Sequence, residues 1–138
     1  MTSIPINNIL VICTGNSCRS QIAEGFLKKI LPNANVLSAG LEVNAVNTKA
    51  IEVMSEIGID ISAQTSNHLD EYKEIIFSHV ITVCDHAHEN CPYFFSGGKT
   101  YHKNFPDPTN CIGTEIEKMN AFRKTRDLIS EYLNEIFY

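Results

Sequence analysis

The chain has no apolar run long enough to span a bilayer and no charged-then-apolar leader after Met1, so neither a membrane-embedded nor an exported protein is expected. It also lacks basic charge. Lys and Arg number 11 against 16 Asp and Glu, for a formal net charge of −5. Nucleic-acid binding draws on a basic stripe, and that class of function falls away. Internal repeats, low-complexity segments and linkers are missing too. The 138 residues are therefore expected to form one domain, 1–138, burying about two-thirds of the surface of its unfolded chain. A hydrophobic content of 43% and a charged content of 20% are those of an ordinary soluble globular protein. A monomer in the cytoplasm is the expectation.

Cysteine, by contrast, is plentiful. Cys13, Cys18, Cys84, Cys91 and Cys111 make an odd set of five. The odd number and the missing leader speak against a secreted disulfide framework. In a reducing compartment such residues are more often catalytic, redox-active or metal-binding.

The most informative stretch is Ile9-Leu10-Val11-Ile12-Cys13-Thr14-Gly15-Asn16-Ser17-Cys18-Arg19-Ser20. A short apolar run reads as a buried strand ending at Cys13, and a small polar loop follows. Arg19 closes the loop and opens a helix through Gln21, Ile22, Ala23, Glu24, Gly25, Phe26 and Leu27. Successive N–H groups turning into a helix N-terminus make a concave anion site. Thr14, Gly15, Asn16, Ser17, Cys18 and Arg19 would form its walls, with Arg19 offering a planar fork to two oxygens of a tetrahedral oxyanion. The same positive field favours the Cys13 thiolate, the nucleophilic form. Ser17 is expected to donate to the Cys13 sulfur. Asn16 is expected to pin the loop through side-chain bonds or by a left-handed backbone.

Strands are expected at Ile6 to Ile12, Ala34 to Ser38, His79 to Cys84 and Thr100 to Phe105. Helical periodicity covers Arg19 to Ile30 or Leu31, Asn47 to Ile57 closed by Gly58, and Glu115 to Ile136 with Ile116 on its apolar stripe. The longest irregular stretch is Asp85 to Lys99. Alternating strands and helices imply an α/β, single-domain, three-layer fold: a central, mainly parallel four-stranded sheet flanked by helices. Ligands in such sheets sit beyond the carboxyl ends of the strands, where Cys13 and Cys84 both fall.

Two further constellations complete the chemistry. Phe105-Pro106-Asp107-Pro108-Thr109 holds Asp107 between prolines that stiffen the backbone, which suits an acid protonating a leaving oxygen. Cys84-Asp85-His86-Ala87-His88-Glu89-Asn90-Cys91 admits three readings. Zinc could take Cys84, His86, His88 and Cys91. Cys84 could simply end a buried strand. The pair could also be redox-active: the six intervening residues can form a turn or two of helix, and bending or melting that helix could bring the sulfurs within bonding reach. Cys18 reads as packing, Cys111 as a bystander, and His68, His79 and His102 as isolated.

These residues resemble the low-molecular-weight protein tyrosine phosphatase family, and more closely the thioredoxin-coupled arsenate reductases built on that fold. The resemblance rests on Cys13 to Gln21, Ser38-Ala39-Gly40, Gly58 to Ser62, Asp107-Pro108, and Cys84 with Cys91, a pair that a phosphatase does not use. It implies attack of Cys13 on arsenate while Asp107 assists the departing oxygen. Cys84 then attacks the Cys13 sulfur, forming a transient Cys13–Cys84 disulfide as arsenite leaves. Cys91 next attacks Cys84, and reduced thioredoxin opens the Cys84–Cys91 disulfide. No bound cofactor is implied; the cellular role implied is arsenic resistance. Some relatives hold potassium through residues matching Asn16, Glu24, Ser38 and an Asp, where this chain has Asn67. Two alternatives remain: phosphomonoester hydrolysis through a Cys13 phosphoenzyme, and a thiol redox sensor or zinc module at Cys84 and Cys91.

Overall fold

The central strand of the sheet is apolar along its whole length because both of its faces are covered. In the computed structural model, which describes residues 8–90 and 98–137, β1 (Asn8–Cys13) is buried from Ile9 onward. It lies between β2 (Asn35–Gly40) and β3 (His79–Thr82), and β4 (Lys99–His102) pairs with β3. The order is β2-β1-β3-β4, with every pairing parallel. Chain connections leave β1 toward β2 on one side and arrive at β3 on the other. That reversal opens a crevice at the carboxyl ends of β1 and β3.

Helix α1 (Arg19–Ile30) follows β1 directly, and α2 (Thr48–Ser55) follows β2. The side chain of Asn47 caps α2 by accepting from the N–H groups of Lys49 and Ala50. Gly58, at φ +80°, ends that segment in the left-handed conformation that glycine accepts most readily. A six-residue α3 (Asp85–Asn90) follows β3, and α4 (Glu115–Phe137) closes the chain. Met119, Phe122, Ile129 and Leu133 of α4 are buried against the core. Burying each such side chain contributes about 1.5–3 kcal/mol.

The structure departs from the expected elements at a few boundaries. The third and fourth strands end sooner, at Thr82 and His102, and β2 runs on to Gly40; α3 is the turn or two of helix that the residues between Cys84 and Cys91 allow, within the longer stretch read as irregular. Ile116, counted on the apolar stripe of the closing helix, is 73% exposed, because it lies in the first turn of α4, ahead of the buried stripe that begins at Met119. Residue Ile6 of the expected first strand and Cys91 lie outside the described residues.

One buried group sets a pH dependence of folding. Burial, reinforced by the charge of Lys99, pushes the His79 imidazole below its ordinary 6.5. The folded state therefore prefers the neutral ring, whereas the unfolded chain protonates it near that ordinary value. Stability from this group is full above about pH 6.5 and is lost as pH falls through the lower folded value. Urea unfolding between about pH 7.5 and 5.5 is expected to show this decline, and His79→Gln to flatten it. Equal slopes for the two proteins would rule out His79 as the source.

Candidate active site

The loop between Cys13 and Arg19 is held from outside. The carbonyls of Thr14, Gly15 and Ser17 accept the backbone N–H groups of Glu42, Asn44 and Asn47. The Asn16 carbonyl accepts from Gln21 Nε2, and the Cys18 carbonyl from the N–H of Ile22. Within a trans peptide the N–H points opposite to the C=O. Five carbonyls tied outward therefore turn the N–H groups of Gly15 through Arg19 inward, toward the cleft. No side chain of the N-cap residue Cys18 caps α1, so the helix N-terminus adds its unpaired amides to the same concavity.

Asn16 is the pin. It is fully buried at φ +48°, so both expected devices operate together. Its Nδ2 donates to Ser20 Oγ and Ser38 Oγ, both at 2.8 Å. Its Oδ1 accepts the N–H of Asn67 at 2.7 Å. Its side chain is thus turned into the interior rather than toward an oxyanion.

The partner of the Cys13 sulfur corrects an expectation. Ser17 does not reach it; its hydroxyl donates to the carbonyl of Ala45 at 2.7 Å. Ser20 Oγ lies 2.9 Å from Cys13 Sγ instead. Because Asn16 Nδ2 already occupies an acceptor position of that oxygen, the Ser20 hydrogen is free to point at the sulfur. The available signal was positional: side chains in the first turn of a helix lean back toward its N-terminus, here toward Cys13.

Cys13, Thr14, Gly15, Ser17, Cys18 and Arg19 line a cleft of about 340 Å³ that faces Asp107 and Thr109, with Glu42 and Asn44 on its remaining wall. Arg19 Nη2 lies 3.6 Å from Asp107 Oδ2, and its Nη1 donates to the Phe105 carbonyl at 3.0 Å. Asp107 is steadied by Thr109, whose N–H and hydroxyl both donate to Oδ1. The expected nucleophile, fork and acid thus meet at one opening. Cys18 shares the lining, but burial, then the neighbouring Cys13 and Asp107, push its thiol far above the ordinary range despite Arg19. Burial thus disfavours its thiolate, the reactive form.

Cys84 arrives from β3. Ile12 pairs with Thr82, and the N–H of Val83 donates to the Ile12 carbonyl, which carries Cys84 to the level of the loop. Its buried sulfur sits 3.4 Å from the Thr14 hydroxyl. Among the described residues no group of three or more His, Cys, Asp and Glu is placed to hold a metal. In the zinc reading, the Cys84 sulfur faces Thr14 while the His88 ring lies on His102; Cys91, its fourth member, lies outside the described residues. Cys111 stays apart, its Sγ 3.8 Å from the Glu117 carbonyl.

A potassium ion does not fit the residues expected for it. Asn16, Ser38 and Glu24 do converge, with the Ser38 hydroxyl donating to Glu24 Oε1. Their acceptor atoms are already engaged, however: Asn16 Oδ1 by Asn67, and Glu24 Oε2 by Lys28 Nζ at 2.6 Å. The Asn67 side chain turns away to Glu71 and Thr65. The Lys28 ammonium supplies the positive charge against Glu24.

Residues 8–137 match the family model of low molecular weight phosphotyrosine protein phosphatases. An arsenate reductase of Halalkalibacterium halodurans is 46% identical over 124 residues, covering 89% of each chain. A solved arsenate reductase in the phosphate binding state superposes with a TM-score of 0.82 at 31% identity, over 95% of this chain and 96% of that one. Vibrio vulnificus Wzb in complex with benzylphosphonate superposes with a TM-score of 0.77 at 27% identity, over 95% and 97%.

Proposed function

This chain belongs to the low molecular weight phosphotyrosine protein phosphatase family, and on that premise we propose that it is an arsenate reductase working through Cys13, Cys84 and Cys91. The observation that carries the reading is the second thiol: Cys84 Sγ lies beside the first residue of the oxyanion loop, 3.4 Å from the Thr14 hydroxyl. Phosphoester hydrolysis has no use for a sulfur there.

The chemistry follows from the placement. Arsenate enters the cleft against the inward amides and the Arg19 fork. Cys13 Sγ, supported by Ser20, attacks arsenic, and Asp107 protonates the departing oxygen so that it leaves as water. Cys84 thiolate then attacks Cys13 Sγ. The S–S bond forms as the S–As bond breaks, and its electron pair stays on arsenic, which departs as arsenite. Cys91 thiolate displaces Cys13 from Cys84. Thioredoxin reduces the resulting disulfide, which must be more oxidising than thioredoxin itself at about −270 mV. One chain carries all three thiols, so a monomer suffices, and the reducing cytoplasm suits them.

Consumption of NADPH with arsenate, thioredoxin and thioredoxin reductase tests this, run beside aryl-phosphate hydrolysis on the same sample. Cys84→Ser is expected to lose arsenate-dependent turnover while keeping weak hydrolysis, since Cys13, Arg19 and Asp107 remain. Full turnover in that variant would overturn the relay. The phosphatase reading has one observation in its favour, that the cleft alone contains a complete set for phosphoester attack. Strong hydrolysis without arsenate-dependent oxidation would establish it instead.

A further inference from the structure

His102, isolated in the sequence, lies at the centre of a side-chain cluster that binds β4 to the helix following Cys84. Its Nε2 lies 2.8 Å from Asp85 Oδ1 and its Nδ1 lies 2.8 Å from the Thr82 hydroxyl. A carboxylate only accepts, so the neutral ring carries its proton on Nε2 and takes the Thr82 O–H at Nδ1. The His88 ring lies over that of His102, with centroids 4.0 Å apart and planes 21° from parallel. Asn104 Oδ1 accepts the N–H of Asp85 at 3.1 Å. The first and fourth residues of α3 are therefore both fastened to one imidazole.

This matters because the described residues of α3, Asp85–Asn90, bury a single side chain, Ala87, so contacts with the rest of the fold rather than its own propensity keep this turn wound. Cys84 depends on its first turn. The Cys84 carbonyl accepts the N–H of His88 at 3.1 Å, and its sulfur accepts the N–H of Ala87 at 3.4 Å. If α3 unwinds, the sulfur loses that amide and its fixed place beside Thr14.

We propose that His102 is a positioning residue for the Cys84 step: by holding Asp85 and His88 it keeps α3 wound, and so keeps the Ala87 amide on the Cys84 sulfur. His102 makes and breaks no bond in the reaction. An N–H directed at sulfur stabilises the attacking thiolate and aims it at Cys13 Sγ. The role given to Cys84 rests on the arsenate reductase reading.

The test uses the full-length chain and three readouts: single-turnover arsenite release without thioredoxin, aryl-phosphate hydrolysis, and the pH profile of Cys84 alkylation by iodoacetamide, followed by peptide mass spectrometry. His102→Ala is expected to slow arsenite release by about tenfold or more, the effect of losing one charge-assisted hydrogen bond. Hydrolysis should stay within about twofold, because it draws on Cys13, Arg19 and Asp107 alone. The Cys84 alkylation profile should move to higher pH. His102→Gln, which keeps an N–H for Asp85, should recover most of the loss. Wild-type arsenite release with an unmoved alkylation profile in His102→Ala would overturn the proposal. So would an equal fall in release and hydrolysis that glutamine does not rescue, the mark of a merely structural role. A wild-type protein that releases no arsenite would instead overturn the reductase reading, and the alkylation profile would still decide whether His102 positions Cys84.

Discussion

Cys13→Ser is expected to abolish arsenate reduction and aryl-phosphate hydrolysis together, each by roughly 10⁴-fold or more, as for other nucleophile deletions. Both reactions begin with attack by the same atom. A serine hydroxyl is a far weaker nucleophile than a thiolate, and the surrounding N–H groups stabilise an anion that serine does not supply. The reduction has a second requirement that oxygen does not meet, since the two electrons come from joining Cys13 and Cys84 in a disulfide. The fold should tolerate the change well: the sulfur's hydrogen-bond neighbour is the Ser20 hydroxyl, 2.9 Å away, which bonds oxygen equally. Phosphate binding measured by calorimetry should therefore persist while both activities vanish. Residual hydrolysis within about a hundredfold of wild type would mean that another group performs the attack.

Gly40→Ala is expected to damage the same loop from behind. Gly40 ends β2 in register with Cys13. A Cβ there would lie 2.5 Å from the Glu42 carbonyl oxygen and 2.8 Å from both the Asn16 nitrogen and the Thr14 oxygen. All three are backbone atoms, so no side chain can swing aside, and the loop itself must move. Overpacking of this kind costs about 1–3 kcal/mol, which a lowered midpoint of thermal unfolding would report. The larger effect falls on catalysis: displacement of the loop by a fraction of an ångström misplaces Cys13 against the bound oxyanion, for a loss of roughly 10²-fold. Single-turnover arsenite release, read beside the melting curve, separates the two. Wild-type values of both would show that the space behind the loop is larger than these distances allow.

Which features could be read from the chain follows from how local their causes are. The strand, loop and helix at Ile9 to Leu27 were legible because apolar run, small polar turn and helical periodicity succeed one another within about twenty residues. Helix α1 runs from Arg19 to Ile30, as expected. The Ser20 contact was legible only in the lean of a first-turn side chain toward the helix N-terminus, not in its choice of partner. It depends on Asn16, whose side chain is directed by Ser38 on another strand and by the N–H of Asn67. Whether the turn or two of helix allowed after Cys84 is wound stays open in the sequence for a related reason. Asp85 to Asn90 has no apolar periodicity, with Ala87 its one buried residue, and its anchor His102 arrives through the pairing of Thr82 with His102 between β3 and β4.

By itself the sequence determined the parallel α/β architecture and the strand–loop–helix that carries Cys13 and Arg19, because hydrophobic period, turn chemistry and helix polarity act between neighbours in the chain. Only the tertiary structure decided that Ser20 rather than Ser17 serves the sulfur. It alone placed Cys84 at the loop, paired Lys28 with Glu24, and brought His102 to Asp85 and His88 of α3. Each of these depends on where side chains from distant strands come to rest, which is set by strand register and by competition for a limited number of hydrogen-bond partners.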